Sequence, residues 1–367
     1  MKKLGFGFMR LPLLDKNDQH SFDTEQLIKM VDSFMEQGFT YFDTAYMYHQ
    51  YESENILRKV LTERYPRECF VIATKLPTMF LEKEEDQVRI FDEQLQKCGV
   101  EYFDYYLLHC LDKDNYKNAQ RFKSFEFISR KKAEGKIKNI GFSFHDTPEL
   151  LDEILTEHPE TEFVQLQINY LDWDDVCVQS RRCFEVARKH NKPVIVMEPV
   201  KCGALANVPD EALKLFKEKQ PELSAASWAV RYAAGLDGVF MVLSGMSDFS
   251  QVADNTSYMC EFEPLSEDEH KTVEAAADII RRSITIPCTA CRYCVEGCPS
   301  NIAIPEYFAH YNASLKDDSF DNGEYKKFSC GSGKPSDCIG CENCQKHCPQ
   351  HIEIISWLKR VSAAFEQ

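Results

Sequence analysis

Half of the sixteen cysteines stand in two runs near the end of the chain. Cys288, Cys291, Cys294 and Cys298 precede Pro299, and Cys338, Cys341, Cys344 and Cys348 precede Pro349. Each run reads C-x2-C-x2-C-x3-C-P, the spacing with which thiolates hold a 4Fe–4S cluster. Three thiolates of one short loop take three irons of one cluster, and the fourth reaches across to the other cluster of the pair. On that rule one cluster takes Cys288, Cys291, Cys294 and Cys348, and the second takes Cys338, Cys341, Cys344 and Cys298. Zinc and disulfides are the competing chemistries. Zinc normally uses paired C-x-x-C motifs, and a disulfide framework belongs to small secreted domains. Two such runs in tandem point to two clusters.

A second group of side chains suits proton transfer. Asp43 and Tyr48 follow one β-rich run, Lys75 a second and His109 a third. An acid, a phenol, an amine and an imidazole that converge can deliver a proton to a carbonyl oxygen. A free tyrosine, with a pKa of about 10, is a poor acid near neutrality. Lys75 beside it is expected to favour the phenolate and lower that pKa, with Asp43 holding the lysine charged and His109 orienting the carbonyl.

These residues need elements that bring them together. Strand candidates are Leu4–Met9, Thr40–Asp43, Phe70–Thr74, Asp104–Leu108, Lys138–Phe142, Phe163–Ile168, Pro193–Met197 and Gly238–Leu243. Several are apolar almost throughout, as strands buried on both faces are. Helical patterns lie between them at Thr24–Gln37, Glu52–Glu63, Glu85–Cys98, Asn118–Glu134, Thr147–Glu157 and Gln179–His190, with two more expected in 210–235. Eight β–α units over about 260 residues predict a (β/α)8 TIM barrel, whose chemistry sits at the carboxyl ends of its strands. A doubly wound sheet would normally carry G-x-G-x-x-G after an early strand, and none is present. The expected division is a barrel over 1–280 and a small ferredoxin-like unit over 281–367, closed by a C-terminal helix with Ile354, Leu358 and Val361 on one face and Trp357 beside them.

The balance of 43 basic against 59 acidic residues gives a net charge of −16. No basic stripe invites nucleic acid, so no nucleic-acid partner is expected; a redox protein partner would suit the acidic surface. No run approaches the 18–20 apolar residues of a membrane span, and Arg10 and Pro12 interrupt the first apolar stretch. A cytoplasmic protein with reduced thiols, from a low-oxygen setting, is expected. The cysteines outside the two runs read mostly as small buried hydrophobes, and Cys330 as a spare thiol.

The segments YFDTAYMYHQYESENILRKVL, VIATKL and DYYLLHC resemble those of the aldo-keto reductases, and Asp43, Tyr48, Lys75 and His109 match that family's catalytic tetrad. Tyr46, a neighbouring phenol, has the wrong spacing from Asp43. The resemblance covers roughly 1–280, and the branch with a C-terminal dicluster ferredoxin domain extends it to the whole chain. It implies a nicotinamide cofactor, NAD(P). In GFSFHD the chain keeps Ser143 of the family's Ser-Asn pair but has Phe144 in place of the Asn; VQLQINYLDW retains Gln167; and VMEPVKCGAL shows no equal of the ring-stacking aromatic. VLSGMSDFSQVADN resembles the family's dinucleotide loop, with Ser244, Gly245, Met246 and Ser247 as a phosphate cradle at a helix start and Asn255 at the adenine. Gly245 and Gln251 stand where cations usually read the 2′-phosphate and Asp248 adds an adverse charge, so no preference for NADPH is expected; Lys201 and Arg231 are the candidate substitute cations.

The implied function is reduction of a small carbonyl substrate, or oxidation of the alcohol, with the clusters as electron relay. The alternative is an electron-transfer protein whose barrel docks a redox partner or binds a flavin, a carrier able to join two-electron and one-electron steps. Met79, Phe80, Tyr170 and Trp173 are candidates for an aromatic pocket wall. Tyr307, Phe308, Tyr311, Phe320, Tyr325 and Phe328 are candidates for packing the small unit on the barrel mouth.

Overall fold

Eight short strands pair side by side, all parallel, in the order β1-β2-β3-β4-β5-β6-β7-β8, and β8 closes on β1. They are β1 Leu4–Gly7, β2 Tyr41–Asp43, β3 Val71–Leu76, β4 Phe103–Leu111, β5 Ile137–Phe144, β6 Phe163–Gln167, β7 Val194–Met197 and β8 Val239–Gly245. The computed structural model describes residues 1–15, 18–315, 325, 329 and 331–366; Cys330, Phe320 and Phe328 lie outside these.

The strand period of two assigns the barrel interior. Tyr41, Ala73, Leu107, Phe163, Ile195 and Met241 pack together as an inner layer. Two residues further along each strand come Asp43, Lys75, His109, Gln165, Met197 and Leu243, so the reactive layer stands one repeat above the apolar one. Gly141 completes the lower layer in β5; a Cβ there would meet the Phe163 carbonyl oxygen at 2.5 Å, and the next inward residue is Ser143. Outward-facing residues such as Phe6, Phe42, Ile72, Phe142 and Val196 join the helices in the main core.

The helices follow the periodicity, with two departures. The pattern read as one helix over 118–134 is two, Lys113–Arg121 and Ser124–Ala133. Asp112 caps the first by accepting from the Asp114 and Asn115 amides, and Lys123, with φ +54°, turns the chain into the second. The Glu52–Glu63 pattern is an α-turn Ser53–Leu57 running into a π-helix, Arg58–Thr62. Asp210–Lys219 and Ala225–Gly235 are the two helices expected in that span. Helix Glu267–Ser283 packs Val273, Ala276 and Ile280 with Phe216 and Trp228, so barrel packing extends past residue 280.

The cysteine-rich unit has its own apolar centre, built from Ile286, Ile302, Ile304, Tyr307, Phe308, Tyr325, Leu358 and Val361. Tyr307, Phe308 and Tyr325 therefore pack inside this unit and not on the barrel mouth. Each cysteine triplet runs into a short helix, Tyr293–Glu296 or Asn343–Lys346, entered through a left-handed residue, Arg292 or Glu342. The closing helix is Ile354–Phe365, with Ile354, Leu358 and Val361 buried. Among the described residues no helix is long and apolar enough to cross a membrane.

Candidate active site at the barrel mouth

A cavity of about 560 Å³ opens at the carboxyl ends of the strands, within the size range of small-molecule sites. Asp43, Tyr48 and His109 line it. Lys75 lies behind Asp43, fully buried, and donates to both carboxylate oxygens at 2.7 and 2.8 Å and to the Thr44 carbonyl at 2.7 Å. Lys75 and His109 sit within β3 and β4, not beyond their ends. Tyr48 comes from the loop after β2, which turns sharply through three left-handed residues, His49, Gln50 and Tyr51. Its ring meets the His109 ring edge-to-face, centroids 5.9 Å apart, and the Lys75 ammonium lies 5.2 Å from its centroid.

Burial dominates the electrostatics. It raises the Asp43 pKa and lowers that of Lys75, against the attraction between them. Burial, then the Asp43 charge, pushes the Tyr48 phenol well above its ordinary value. The expected lowering by Lys75 is not found: desolvation and the Asp43 charge set the direction instead. His109 is held well below the usual imidazole value by burial and then by Lys75, and its Nδ1 has no partner. The site is thus a protonated phenol and a neutral imidazole over a closed ion pair.

Of the cofactor residues expected from sequence, Ser143, Gln167, Ser244, Gly245, Gln251 and Asn255 line the cavity, and several are already engaged. The Ser143 hydroxyl accepts from the Cys110 amide at 2.7 Å, at a break in the β4–β5 register where Cys110 takes φ +55°. Phe144 points away into the core, and the next residue, His145, faces the cavity with its pKa lowered by burial to about 4. Gln167 is tied up: its amide donates to Asp172 at 2.8 Å and pairs with the Gln350 amide at 3.3–3.4 Å. Gln165, in the reactive layer, has a buried Oε1 without a partner and lines the same cavity. Period-two counting upward from Phe163 would have found it. Met197 stands at the end of β7, where no stacking aromatic was seen.

The loop after β8 satisfies itself. Asp248 caps helix Phe249–Met259 by accepting from the Gln251 amide, and its other oxygen accepts from the Gln251 side chain. Gln251 in turn accepts from the Ser247 amide at 2.8 Å. Asn255 donates to Ser244 at 2.7 Å and accepts from Tyr258 at 2.5 Å. Ser244, Gly245, Ser247, Gln251 and Asn255 line the cavity, whereas Met246 is buried in the core. Neither expected substitute cation is free: Lys201 pairs with Asp172 at 2.5 Å and Arg231 with Glu269 at 3.1 Å. Met79, Phe80, Tyr170 and Trp173 do not line the cavity; Tyr170 and Trp173 pack against Tyr232, and Phe80 is exposed beside Tyr51.

The cysteine-rich unit roofs this cavity with Thr289, Cys291, Tyr293, Pro349 and Gln350. Gln350 also accepts from the Lys201 ammonium at 2.7 Å, tying the roof to the ends of β6 and β7. Cys288, Cys291, Cys294 and Cys348 surround one small void, together with Gln350. Cys298, Cys338, Cys341 and Cys344 surround another. Among the described residues no three Cys, His, Asp or Glu side chains close on a single ion. Of the remaining described cysteines only Cys98 and Cys183 are buried; Cys69 and Cys177 are exposed.

A family model described as the aldo/keto reductase family matches residues 3–278, and one described as a 4Fe-4S dicluster domain matches 287–353. A probable aldo-keto reductase of Glycine max is 31% identical over 181 residues, 47% of this chain and 49% of that protein. An aldo-keto reductase of Mycolicibacterium smegmatis is 31% identical over 135 residues, 37% of this chain and 46% of that protein. The chain spans about half the length of the curated relatives it matches. The holo form of an aldo-keto reductase from Bacillus halodurans superposes with a TM-score of 0.61 at 25% identity, covering 75% of this chain and 91% of that one. A glycerol dehydrogenase from Gluconobacter oxydans shares the fold, with a TM-score of 0.58 at 18% identity over 76% of this chain and 92% of its own.

Proposed function

Because the chain belongs to the aldo/keto reductase family, we propose that it is an NAD(P)-dependent oxidoreductase that interconverts a small carbonyl compound and its alcohol. The supporting observation is that one cavity joins Asp43, Tyr48 and His109 to Ser143, Gln165 and the Ser244–Asn255 loop. Nicotinamide, when bound, supplies or takes a hydride, and 4Fe–4S clusters pass single electrons. Tyr48 is the proton donor: burial raises its pKa and so weakens it as an acid, but the alkoxide that develops on the carbonyl oxygen is a stronger base than the phenolate and takes the proton. His109, neutral, directs a ring nitrogen at the same oxygen and polarises it without adding charge. Asp43 and Lys75 fix the floor of the site. Gln165, with its unspent Oε1, is the better partner for the nicotinamide carboxamide, since Gln167 is committed to Gln350 and Asp172. Tyr293, Pro349 and Gln350 form the lid that keeps water from the reacting centre.

We propose further that the two thiol sets each hold one 4Fe–4S cluster, in a unit spanning about 281–367. The two voids, each lined by three thiols of one run and the fourth of the other, fit the exchange of ligands between runs. Cys291 belongs both to the first set and to the wall of the reductase cavity, which favours a relay role over a purely structural one. The second set lies outward, with Cys341 exposed and Ile339 70% exposed, a place for a redox partner protein to approach. The test is anaerobic preparation followed by turnover of small aldehydes and ketones with NADH or NADPH. Tyr48→Phe should lower turnover by about two to four orders of magnitude with cofactor affinity retained; unchanged turnover would rule out the proton role.

A further inference from the structure

Arg10 is a cation of the cavity that none of these roles uses. It follows β1, and its backbone oxygen accepts from the Ser247 hydroxyl at 2.9 Å. Its side-chain stem passes over Gly245, where a Cβ would stand 3.5–3.7 Å from Arg10 Cβ, Cγ and Cδ. The head then crosses to the β7 loop, beside Cys202, Glu198 and Cys291. Glu198, the one acid among these neighbours, accepts from the Cys202 thiol at 2.8 and 2.9 Å, and its charge, with a hydrogen bond from Arg10 to Cys202, engages one side of the guanidinium. Arg10 Nη2 is buried with no hydrogen-bond partner and the residue lines the cavity. The backbone of the β7 loop is also held out of its ordinary range, with Glu198, Lys201 and Cys202 at φ +59°, +46° and +52°, conformations that cost of order 1–3 kcal/mol each and cluster at ligand sites.

A buried guanidinium donor left without an acceptor is unfavourable, and the unspent Nη2 of Arg10 faces the cavity. The other buried cations at this end of the barrel, Lys75, Lys201 and Arg231, are each paired with a carboxylate. We infer that Arg10 anchors an anion site across the middle of the cavity, for a carboxylate or phosphate group of the molecule bound against Tyr48. Two sources share that chemistry, the phosphates of a dinucleotide and the carboxylate of an oxo-acid substrate. Only the choice between them rests on the reductase reading; the anion site itself does not.

Calorimetric titration of oxalate and of inorganic pyrophosphate into the full chain tests the site directly. At least one should bind the wild type and lose about 10- to 100-fold in affinity in Arg10→Gln, the scale of charge-assisted hydrogen bonds. Arg10→Lys should keep part of it, as a point charge without the two-pronged geometry. Equal affinity in all three proteins, or no binding of either anion to the wild type, overturns the inference. Where Arg10→Gln changes the circular dichroism or iron content, Arg10→Lys against wild type carries the comparison. NADH and ADP-ribose weakened together assign the site to dinucleotide phosphates. A fall in kcat/KM for 2-oxobutanoate but not butanone, with NADH affinity unchanged, assigns it to the substrate. Anion binding with no binding of NADH, NADPH or ADP-ribose would leave Arg10 in place and sink the nicotinamide reading.

Discussion

Lys75→Met isolates the ion pair beneath the site. The wild-type ammonium spends its three protons on Asp43 Oδ1, Asp43 Oδ2 and the Thr44 carbonyl, with Lys75 fully buried and Asp43 3% exposed. Methionine fills a similar volume but leaves a carboxylate in the barrel with no cation. Breaking one side of a buried pair costs about 3–5 kcal/mol, whereas replacing both sides costs much less. At about 2 °C per kcal/mol for a domain of this size, Lys75→Met should melt roughly 6–10 °C below wild type at pH 7. Lys75→Met/Asp43→Asn should recover most of that loss. The pH dependence has a definite sign. Burial already raises the Asp43 pKa, and removing Lys75 deletes the two influences that lower it. Between the unfolded carboxylate range and this raised value the folded variant binds the extra proton, so its stability falls as pH rises through that window and returns on acidification. Thermal unfolding followed by circular dichroism across pH 5–8 under anaerobic conditions measures this. A single variant as stable as wild type, or a double variant no better than the single, would refute the view that Asp43 and Lys75 neutralise one another.

Glu54, buried under β3, accepts from Thr74 and Gln94 at 2.7 Å, and burial pushes its pKa to about 7. A raised carboxyl pKa means stability lost as pH climbs from about 4.5 to 7, roughly 3 kcal/mol in all; Glu54→Gln should flatten that slope in denaturant titrations. Cys348→Ser and Cys298→Ser should perturb opposite clusters, each lowering iron from about eight per chain toward four, with the Cys348 variant alone changing the spectrum of the cluster that responds to cavity ligands. Chemical iron analysis and electron paramagnetic resonance check this, and loss of the same cluster in both variants would contradict the exchange of fourth ligands. NADH should bind at least as tightly as NADPH, because Asp248 occupies the helix start where a 2′-phosphate would need donors. Asp248→Ser should improve NADPH more than NADH in fluorescence titrations.

Local spacing carried the parts of this protein that depend on neighbours in the chain. C-x2-C-x2-C-x3-C is a chelating geometry over a dozen residues, and it was readable without a fold. The recurrence of apolar runs and helical patterns foretold eight strands, because alternation of two and of 3.6 is a local property. With the barrel's rule that strand ends carry the chemistry, Asp43, Tyr48 and His109 could be read as neighbours. What depends on contacts between distant segments was not readable. Two glutamines two residues apart face the same way in a strand, and only the position of Gln350, 183 residues from Gln167, shows which is taken and which is free. The electrostatic state of Tyr48 was likewise a tertiary matter. Lys75 was expected to lower its pKa, but desolvation and the counter-charge of Asp43 depend on distances that only the closed barrel sets. Arg10 read as a residue that interrupts an apolar stretch until the loops after β7 and β8 enclosed it. A charge acquires its energy from burial and from what stands within a few ångströms, and the folded chain alone decides both.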